Sequence, residues 1–314
     1  MSQAVVAEVQ GNVAVLYMQN PPVNALSQSV RVGLIENIKQ ALDNDNVHAI
    51  VISSQLALFS GGADISEFSG GNLEPHLPNV LDVIENASKP IIAVLNGPAF
   101  GGGLEVALSC HYRVTFASNK VGLPEVNLGI LPGAGGTQRL PRLAGVAKAL
   151  DMIVSGRPEK ASKLSGVFDL IVEDPSNLLS EAMAFVQKVI ADGAKIRKTA
   201  DVAIDKASAP DELFAQYRQG LKKQARGFFA PERCIQAVEA SVSLPFEQGL
   251  VREGELFMEC MGSKEARAQQ HFFFAERAAS HVSDYDKSTP VRDIKQVGII
   301  GAGTMGGGIA MNFA

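Results

Sequence analysis

Two glutamates, Glu105 and Glu125, stand in glycine- and proline-punctuated segments of an otherwise apolar stretch, GPAFGGGLEVAL (residues 97–108) and GLPEVNLGILPGAGGTQ (residues 122–138). A carboxylate at a helix start beside a glycine run can meet exposed backbone N–H groups. Such a site can hold both an acid/base group and an oxyanion. Burial also disfavours the ionised carboxylate, which suits proton transfer near neutral pH. The alternative remains that Glu105 flanks its helix and Glu125 forms an ordinary ion pair.

The run Gly101-Gly102-Gly103 directly precedes Leu104-Glu105. Adjacent glycines disfavour a helix, so they indicate that the backbone comes close to another group or adopts a special dihedral. The helix start after them would supply free N–H groups and a positive dipole end. A flexible turn is the competing interpretation.

Strand, loop and helix patterns recur around these segments, and the repeats indicate successive ββα turns. From residue 147 the pattern changes to helix and short strand, and residues 177–285 are almost wholly helical in pattern. The strands expected before residue 147 are a hairpin over 5–18 and strands over 49–53, 91–95 and 112–117. The expected helices are one with Ser27 as its N-cap, two near 80–86 and 104–110, and one from 135 or 137.

Composition excludes several classes of protein. The chain has 314 residues and a net charge of −5, which disfavours a nucleic-acid surface. No apolar run reaches the roughly 18 residues that a membrane helix needs, so we expect no membrane span. The N-terminus lacks a basic leader, which favours an intracellular protein. Cys110, Cys234 and Cys260 are an odd number, lie far apart and show no CxxC spacing, which indicates core packing rather than a disulfide or a metal site.

The order of three segments, FSGGADISEF, KPIIAVLNGPAFGGGLEVALSCHYRV and GLPEVNLGILPGAGGTQRLPRLAG, resembles the enoyl-CoA hydratase/isomerase (crotonase) superfamily over about residues 5–190. The helical region that follows, with IKQVGIIGAGTMGGGIAMNFA, resembles the bifunctional enoyl-CoA hydratase/3-hydroxyacyl-CoA dehydrogenases, among them the peroxisomal multifunctional enzymes of type 1 and their bacterial relatives.

The resemblance implies an α/β crotonase fold, a spiral of ββα turns with a C-terminal helical extension and the truncated start of a Rossmann domain. The implied domains are a crotonase core over residues 1–190, a helical extension with a linker helix over 191–285, and a linker with the start of an NAD-binding domain over 286–314. In the last piece we expect a strand over Gln296–Ile300 that leads into the dinucleotide fingerprint Gly301, Gly303 and Gly306. Since the rest of that domain lies outside this sequence, NAD binding is expected only of a full-length protein.

The resemblance also assigns site residues. Glu105 would orient and deprotonate a water molecule, and Glu125 would deliver a proton to the α-carbon. The backbone N–H groups of Ala63 and Gly102 would form the oxyanion hole around the thioester oxygen. The implied substrate-binding residues are Asn24, Ala25, Ala63, Asp64, Ile65, Ser66, Gly102 and Gly133.

The implied reaction is hydration of a trans-2-enoyl-CoA to a 3-hydroxyacyl-CoA, with no metal and no cofactor in the hydratase part. Isomerisation of a 3-enoyl to a 2-enoyl thioester at the same site is the nearest rival, and a non-catalytic acyl-CoA-binding or scaffolding module is an alternative of another class. An acyl-CoA thioester is the expected partner. A monomer is expected, with a trimer as the alternative, in either the bacterial cytoplasm or the peroxisome.

Other polar and aromatic residues leave alternatives open. His111 has no serine or cysteine nucleophile placed beside it by any motif and is interpreted as structural. The basic residues that could meet the coenzyme A phosphates, or else be solvated surface charges, are Arg31, Lys89, Lys222 and Lys223. The aromatic residues that could line an acyl tunnel, or else pack in the core, are Phe59, Phe68 and Phe100.

Overall fold

The computed structural model describes residues 4–69, 73–225, 227–279 and 288–314, without the side chains of residues 68, 69, 223 and 224. The chain divides into two compact units, residues 1–272 and 273–314. In the described ranges, no helix is both long enough and apolar enough to cross a membrane.

The strands are β1 (Val5–Gln10), β2 (Val13–Met18), β3 (Ala49–Ser54), β4 (Ile91–Val94), β5 (Ala99–Phe100), β6 (Tyr112–Phe116), β7 (Lys120–Gly122), β8 (Glu159–Lys160) and β9 (Leu170–Val172). The helices are α1 (Gln28–Asp43), α2 (Leu77–Glu85), α3 (Gly102–Ser109), α4 (Gly136–Ala144), α5 (Val146–Ser155), α6 (Leu178–Ala191), α7 (Asp211–Gln224), α8 (Ala230–Ser243), α9 (Phe246–Met261), α10 (Lys264–Ala279) and α11 (Thr304–Phe313).

Two sheets form the framework of the first unit. The larger has the order β1-β2-β3-β4-β6-β9, in which β1 pairs with β2 antiparallel and the other neighbours pair parallel. Parallel pairing needs crossover connections, and α1, α2 and α3 supply them in turn. The smaller sheet, β5-β7-β8, lies beside the loops that carry the glutamates. The predicted α/β class is therefore confirmed for this unit.

The larger sheet is covered on both faces, which explains why β3 reads AIVISS without polar alternation and is buried throughout. Because side chains alternate along a strand, Ile50 and Ile52 join the main core while Ala49 and Val51 join a second cluster. The apolar face of α6 covers that second cluster.

The helical extension belongs to the same core as the sheet. Cys234 and Val238 of α8 and Leu256 and Cys260 of α9 are fully buried in the main cluster. The extension thus packs against the glutamate-bearing segments inside one compact unit, residues 1–272.

Some local predictions are wrong. Residues 288–314, as described, contain α11 and no strand, so the strand expected over Gln296–Ile300 does not form. An isolated strand leaves its N–H and C=O groups without a partner strand, which explains its absence. Ser27 precedes α1 as predicted, but its side chain does not cap that helix.

Candidate active site

Glu105 and Glu125 line one cavity of about 460 Å³ in the first unit. Its walls also include the backbone segments at Ala63, Gly102 and Gly133, which come from two loops and the start of α3. The two glycine-rich segments therefore meet in one pocket, since residues distant in sequence converge there.

Glu105 lies in the first turn of α3 and is 3 % exposed. Its Oε1 accepts hydrogen bonds from the backbone N–H groups of Ala134, at 2.9 Å, and Gly136, at 2.8 Å. Of the two oxygens of the Glu105 carboxylate, only Oε1 has hydrogen-bond partners among the described residues. One side of the Glu105 carboxylate is thus fixed by main-chain amides at the start of α4.

Glu125 opens a short 3-10 helix, Glu125–Leu128, and is only half-buried as a residue. Its Oε2, however, is buried and has no hydrogen-bond partner among the described residues. Its Oε1 faces Gly101, where an added Cβ would lie 2.7 Å away. Gly101 has φ +53°, so this position requires a glycine both for its backbone conformation and for the close approach of the carboxyl.

The environments of the two carboxyls differ. Burial raises the pKa of both glutamates, and for Glu105 the amides of Ala134 and Gly136 oppose this effect. The pKa of Glu125 is raised well above its ordinary value, first by burial and then by the nearby charge of Glu105. The neutral form of Glu125 is therefore favoured, while the ionised form of nearby Glu105 receives two hydrogen-bond donors.

The segments of Ala63 and Gly102 run side by side. Phe100 N–H donates to Ser60 O at 2.9 Å, and Leu26 N–H donates to Gly62 O at 2.8 Å, which joins the three loops. The Ala63 amide has no acceptor in the described part of the chain. Gly102 is the first residue of α3, so its amide has no acceptor within the helix. A Cβ on Gly102 would approach the Ala63 nitrogen at 3.4 Å, so the two peptides are neighbours.

The other predicted substrate residues divide into two groups. Asp64 and Gly133 line the cavity together with Ala63 and Gly102. Asn24, by contrast, is buried in the framework, where its Nδ2 donates to Ser54 Oγ at 2.6 Å and its Oδ1 accepts from Asn20 N–H at 2.6 Å. Ala25 pairs with Gly62 in an isolated β-bridge. The residues outside the cavity lining are Asn24, Ala25, Ile65 and Ser66.

The four basic candidates are not alike. Arg31 is 6 % exposed and is held by Glu67 at 2.8 Å and by three backbone carbonyl groups, so its interpretation as a solvated charge is wrong. Lys89 donates to Ala41 O and Asn44 O at the end of α1, so it too is bound rather than free. Lys222 is exposed, and the side chain of Lys223 lies outside the described residues.

Of the three aromatic candidates, Phe59 follows the core interpretation. Phe59 is fully buried in the main core, Phe100 is half-buried outside the cavity lining, and the side chain of Phe68 lies outside the described residues. The cavity wall comes instead from α9, through Phe257, Met258 and Met261. Sequence reasoning did not find these residues, because nothing in the glycine-rich segments points to a helix more than a hundred residues further along the chain.

His111 is structural, as predicted. It is fully buried, its Nδ1 accepts from Ile91 N–H at 2.9 Å, and burial lowers its pKa. The cysteine thiols are free and buried, and burial raises the pKa of Cys110 to about 12. In the described ranges no group of three His, Cys, Asp or Glu side chains is placed to hold a metal ion.

Sequence reasoning also missed a buried glutamate beside the site, Glu253 of α9, which is 1 % exposed. It was detectable, because it shares a helical face with Gly249, Leu256 and Cys260, all of them buried. A charged residue in a buried register indicates a partner or a function. Burial and then the charge of Glu105 raise the pKa of Glu253 to about 8, while donors from Gly135 and Thr137 oppose that rise.

Comparison with known proteins agrees with this geometry. Residues 8–240 match the family described as enoyl-CoA hydratase/isomerase. The chain belongs to the enoyl-CoA hydratase/isomerase family. Among curated members, it is 42 % identical over 309 residues to the peroxisomal bifunctional enzyme of Homo sapiens, covering 96 % of this chain and 42 % of that protein. It is 37 % identical over 314 residues to the glyoxysomal fatty acid beta-oxidation multifunctional protein MFP-a of Cucumis sativus, covering 95 % and 43 %.

A solved family structure, enoyl-CoA hydratase from Bacillus anthracis, has a TM-score of 0.56 with this chain at 25 % identity, covering 88 % of this chain and 97 % of that one. The chain spans less than half the length of the curated relatives above, yet it accounts for almost the whole of a free-standing family structure.

Proposed function

We propose that this chain catalyses the reversible addition of water to a trans-2-enoyl-CoA, giving the 3-hydroxyacyl-CoA, in fatty-acid β-oxidation. The observation that carries the proposal is the pair of carboxyls in one cavity, Glu105 with one oxygen fixed by two amides and Glu125 with a buried oxygen that has no partner. Membership of the enoyl-CoA hydratase/isomerase family supports the same reaction.

In the proposed step Glu105 takes a proton from water as the water oxygen bonds to C3, and Glu125 gives its proton to C2. The C2=C3 π bond breaks, one C–O and one C–H bond form, and the electrons balance without an oxidant or reductant. The different environments of the two carboxyls support these roles, because a base must be ionised and an acid protonated at the same pH.

The amides of Ala63 and Gly102 are proposed to stabilise the thioester oxygen as it gains enolate charge. The Ala63 amide has no acceptor in the described chain and lies next to the Gly102 peptide, which supports a shared acceptor. Removing one such donor typically costs a factor of about 10² to 10³ in kcat. Asp64 and Gly133 are proposed substrate contacts, since both line the cavity.

Isomerisation of a 3-enoyl to a 2-enoyl thioester is a second proposed activity of the same cavity. It needs one carboxyl that moves a proton between two carbons, and Glu125 has the position and the raised pKa for that role. Hydration needs Glu105 as well, so the two activities should respond differently to changes at Glu105.

Compartment, cofactor and oligomeric state are further proposals. The relatives are named peroxisomal or glyoxysomal, which supports an intracellular compartment for this protein. Gly301 and Gly306 lie so close that a Cβ on Gly306 would clash with the Gly301 carbonyl oxygen, and the turn between them leads into α11. This arrangement fits the first part of a dinucleotide fingerprint. We propose that NAD binding belongs only to a protein that carries the remainder of that domain. A monomer is the proposed state, because the helical extension packs on the same core.

The test is the loss of the conjugated enoyl-thioester absorbance with the wild-type chain and with Glu105→Gln and Glu125→Gln. Each substitution should lower kcat by a factor of about 10² to 10⁴. Glu255→Gln, on the exposed side of α9, is the control and should retain wild-type activity. Near-normal rates in both active-site variants would refute hydration by this pair. Tight binding of a saturated acyl-CoA without any turnover by wild type would instead support the non-catalytic alternative.

A further inference from the structure

Four consecutive backbone amides at the start of α4 donate alternately to the carboxyl groups of two glutamates, Glu105 and Glu253. Ala134 and Gly136 donate to Glu105 Oε1 at 2.9 and 2.8 Å. Gly135 donates to Glu253 Oε1 at 2.6 Å, and Thr137 donates to Glu253 Oε2 at 3.0 Å. Successive peptides therefore point in opposite directions, one pair towards the cavity and the other towards α9.

Several contacts fix Glu253 in this position. The Thr137 hydroxyl also donates to Glu253 Oε2, and Gln138 Nε2 in turn donates to the Thr137 oxygen at 2.8 Å. Gly135 has φ +92°, the left-handed conformation that turns its amide away from its neighbours. One helical turn further along α9, the Phe257 ring lies 2.6 Å from where a Cβ on Gly133 would be. The loop 133–137 is thus held against α9 by both hydrogen bonds and packing.

A carboxyl group this deeply buried is an unusual cap for a helix, because burial disfavours its ionised form unless hydrogen-bond donors compensate. Ordinary helix starts use a serine, threonine, aspartate or asparagine just before the first turn. Here the capping group comes from a helix more than a hundred residues away, and it orients the same peptides that hold Glu105. This arrangement suggests a role beyond the stability of α4.

We propose that Glu253 is a positioning residue for hydration: by holding the amides of Gly135 and Thr137, it aims those of Ala134 and Gly136 at Glu105. Glu105 then keeps Oε1 fixed and presents its other oxygen to the water. The inference rests on the proposed function. Because isomerisation needs only Glu125, hydration depends on Glu253 more strongly than isomerisation does.

The experiment compares Glu253→Gln with wild type, using a 2-enoyl-CoA for hydration, a 3-enoyl-CoA for isomerisation and a saturated acyl-CoA for binding. Glutamine keeps an acceptor for Gly135 but cannot also accept from Thr137. We expect hydratase kcat to fall by about tenfold or more, because a small displacement of a catalytic group has a large effect on rate. The isomerase kcat and the Kd for the saturated thioester should change by less than about threefold.

Two further variants complete the test. Glu255→Gln, the same substitution on the exposed face of α9, should leave both activities unchanged. Thr137→Val removes one donor to Glu253 and leaves the carboxylate in place, so it should lower hydration by a smaller factor in the same direction. If Glu253→Gln does not fold, the ratio of hydratase to isomerase kcat in Thr137→Val tests the inference instead.

The inference is wrong if the ratio of hydratase to isomerase kcat stays at the wild-type value, whether both rates persist or both fall together. It is equally wrong if hydration weakens only through KM or through the Kd for the saturated thioester. A wild-type chain that turns over neither substrate would remove the proposed function and this inference with it. An active wild type with an unchanged ratio in Glu253→Gln and Thr137→Val would remove the inference alone.

Discussion

Substituting Gly136 by alanine should displace Glu105 without removing any catalytic group. Gly136 is the first residue of α4 and has no left-handed φ, so its backbone accepts an alanine. The added Cβ, however, would lie 2.8 Å from Glu105 Oε1 and 2.9 Å from Pro132 Cβ. Ordinary contacts begin at 3.4 Å, so the carboxylate and the loop must separate by about 0.6 Å.

The size of the effect follows from that displacement. Crowding of a well-packed site costs about 1–3 kcal/mol in unfolding free energy. A misplacement of 1 Å can lower a catalytic rate about a hundredfold, so we expect hydratase kcat to fall by about tenfold to a hundredfold. Binding of a saturated acyl-CoA should change little, because it does not need the water.

The assay measures kcat for hydration, Kd for the saturated thioester and unfolding in denaturant. Gly254→Ala on α9 is the matched control, since nothing lies within 4 Å of its added Cβ. That control should keep its activity and gain up to about 1 kcal/mol from better helix propensity. Wild-type kcat in Gly136→Ala would refute the claim that the position of Glu105 is set this closely.

Three further outcomes follow from the same contacts. Gly101→Ala should lower both kcat and stability, because φ at this residue is +53° and the new Cβ would lie 2.7 Å from Glu125 Oε1; steady-state kinetics and thermal unfolding measure the two effects. Arg139→Met should lower the unfolding free energy by about 3–5 kcal/mol, since it removes the partner of buried Glu85, now paired at 2.6 Å; urea unfolding measures the loss. The pKa of Glu253 is about 8 in the folded protein, against an unfolded value near 4.3. The folded state therefore keeps this proton to higher pH, and the stabilising contribution, complete below about pH 4.3, is lost as pH rises through about 8. Unfolding at pH 5 and pH 8 should show a smaller decrease with pH in Glu253→Gln than in wild type; an equal decrease in both would contradict this.

Sequence patterns predict those parts of the site whose conformation is determined by the residues of a single segment. The glycine run at 101–103 indicates a close approach, and the structure places Gly101 against Glu125 with a positive φ. The hairpin over 5–18 and the strand over 49–53 follow from alternation and from a mostly apolar segment. The conformation of each such segment depends on its own residues, so its pattern is sufficient to predict it.

Contacts between distant segments could not be predicted in the same way. No residue near Ala134–Thr137 indicates that Glu253 of α9 accepts hydrogen bonds from this segment, because that contact depends on how the helices pack. Arg31 likewise resembles a surface charge in the sequence, yet a loop over residues 73–75 covers it and accepts its hydrogen bonds. The strand expected over Gln296–Ile300 was wrong for the converse reason, since a strand pattern without a partner strand does not pair.

The central claim is that Glu105 and Glu125 act together on one water molecule. The most direct test is a double-variant cycle on hydratase kcat, with Glu105→Gln, Glu125→Gln and the two combined. Residues that act as a unit give strongly non-additive losses, so the double variant should be about as slow as the slower single variant. Losses that multiply, with the double variant slower by the product of the two single factors, would contradict the claim.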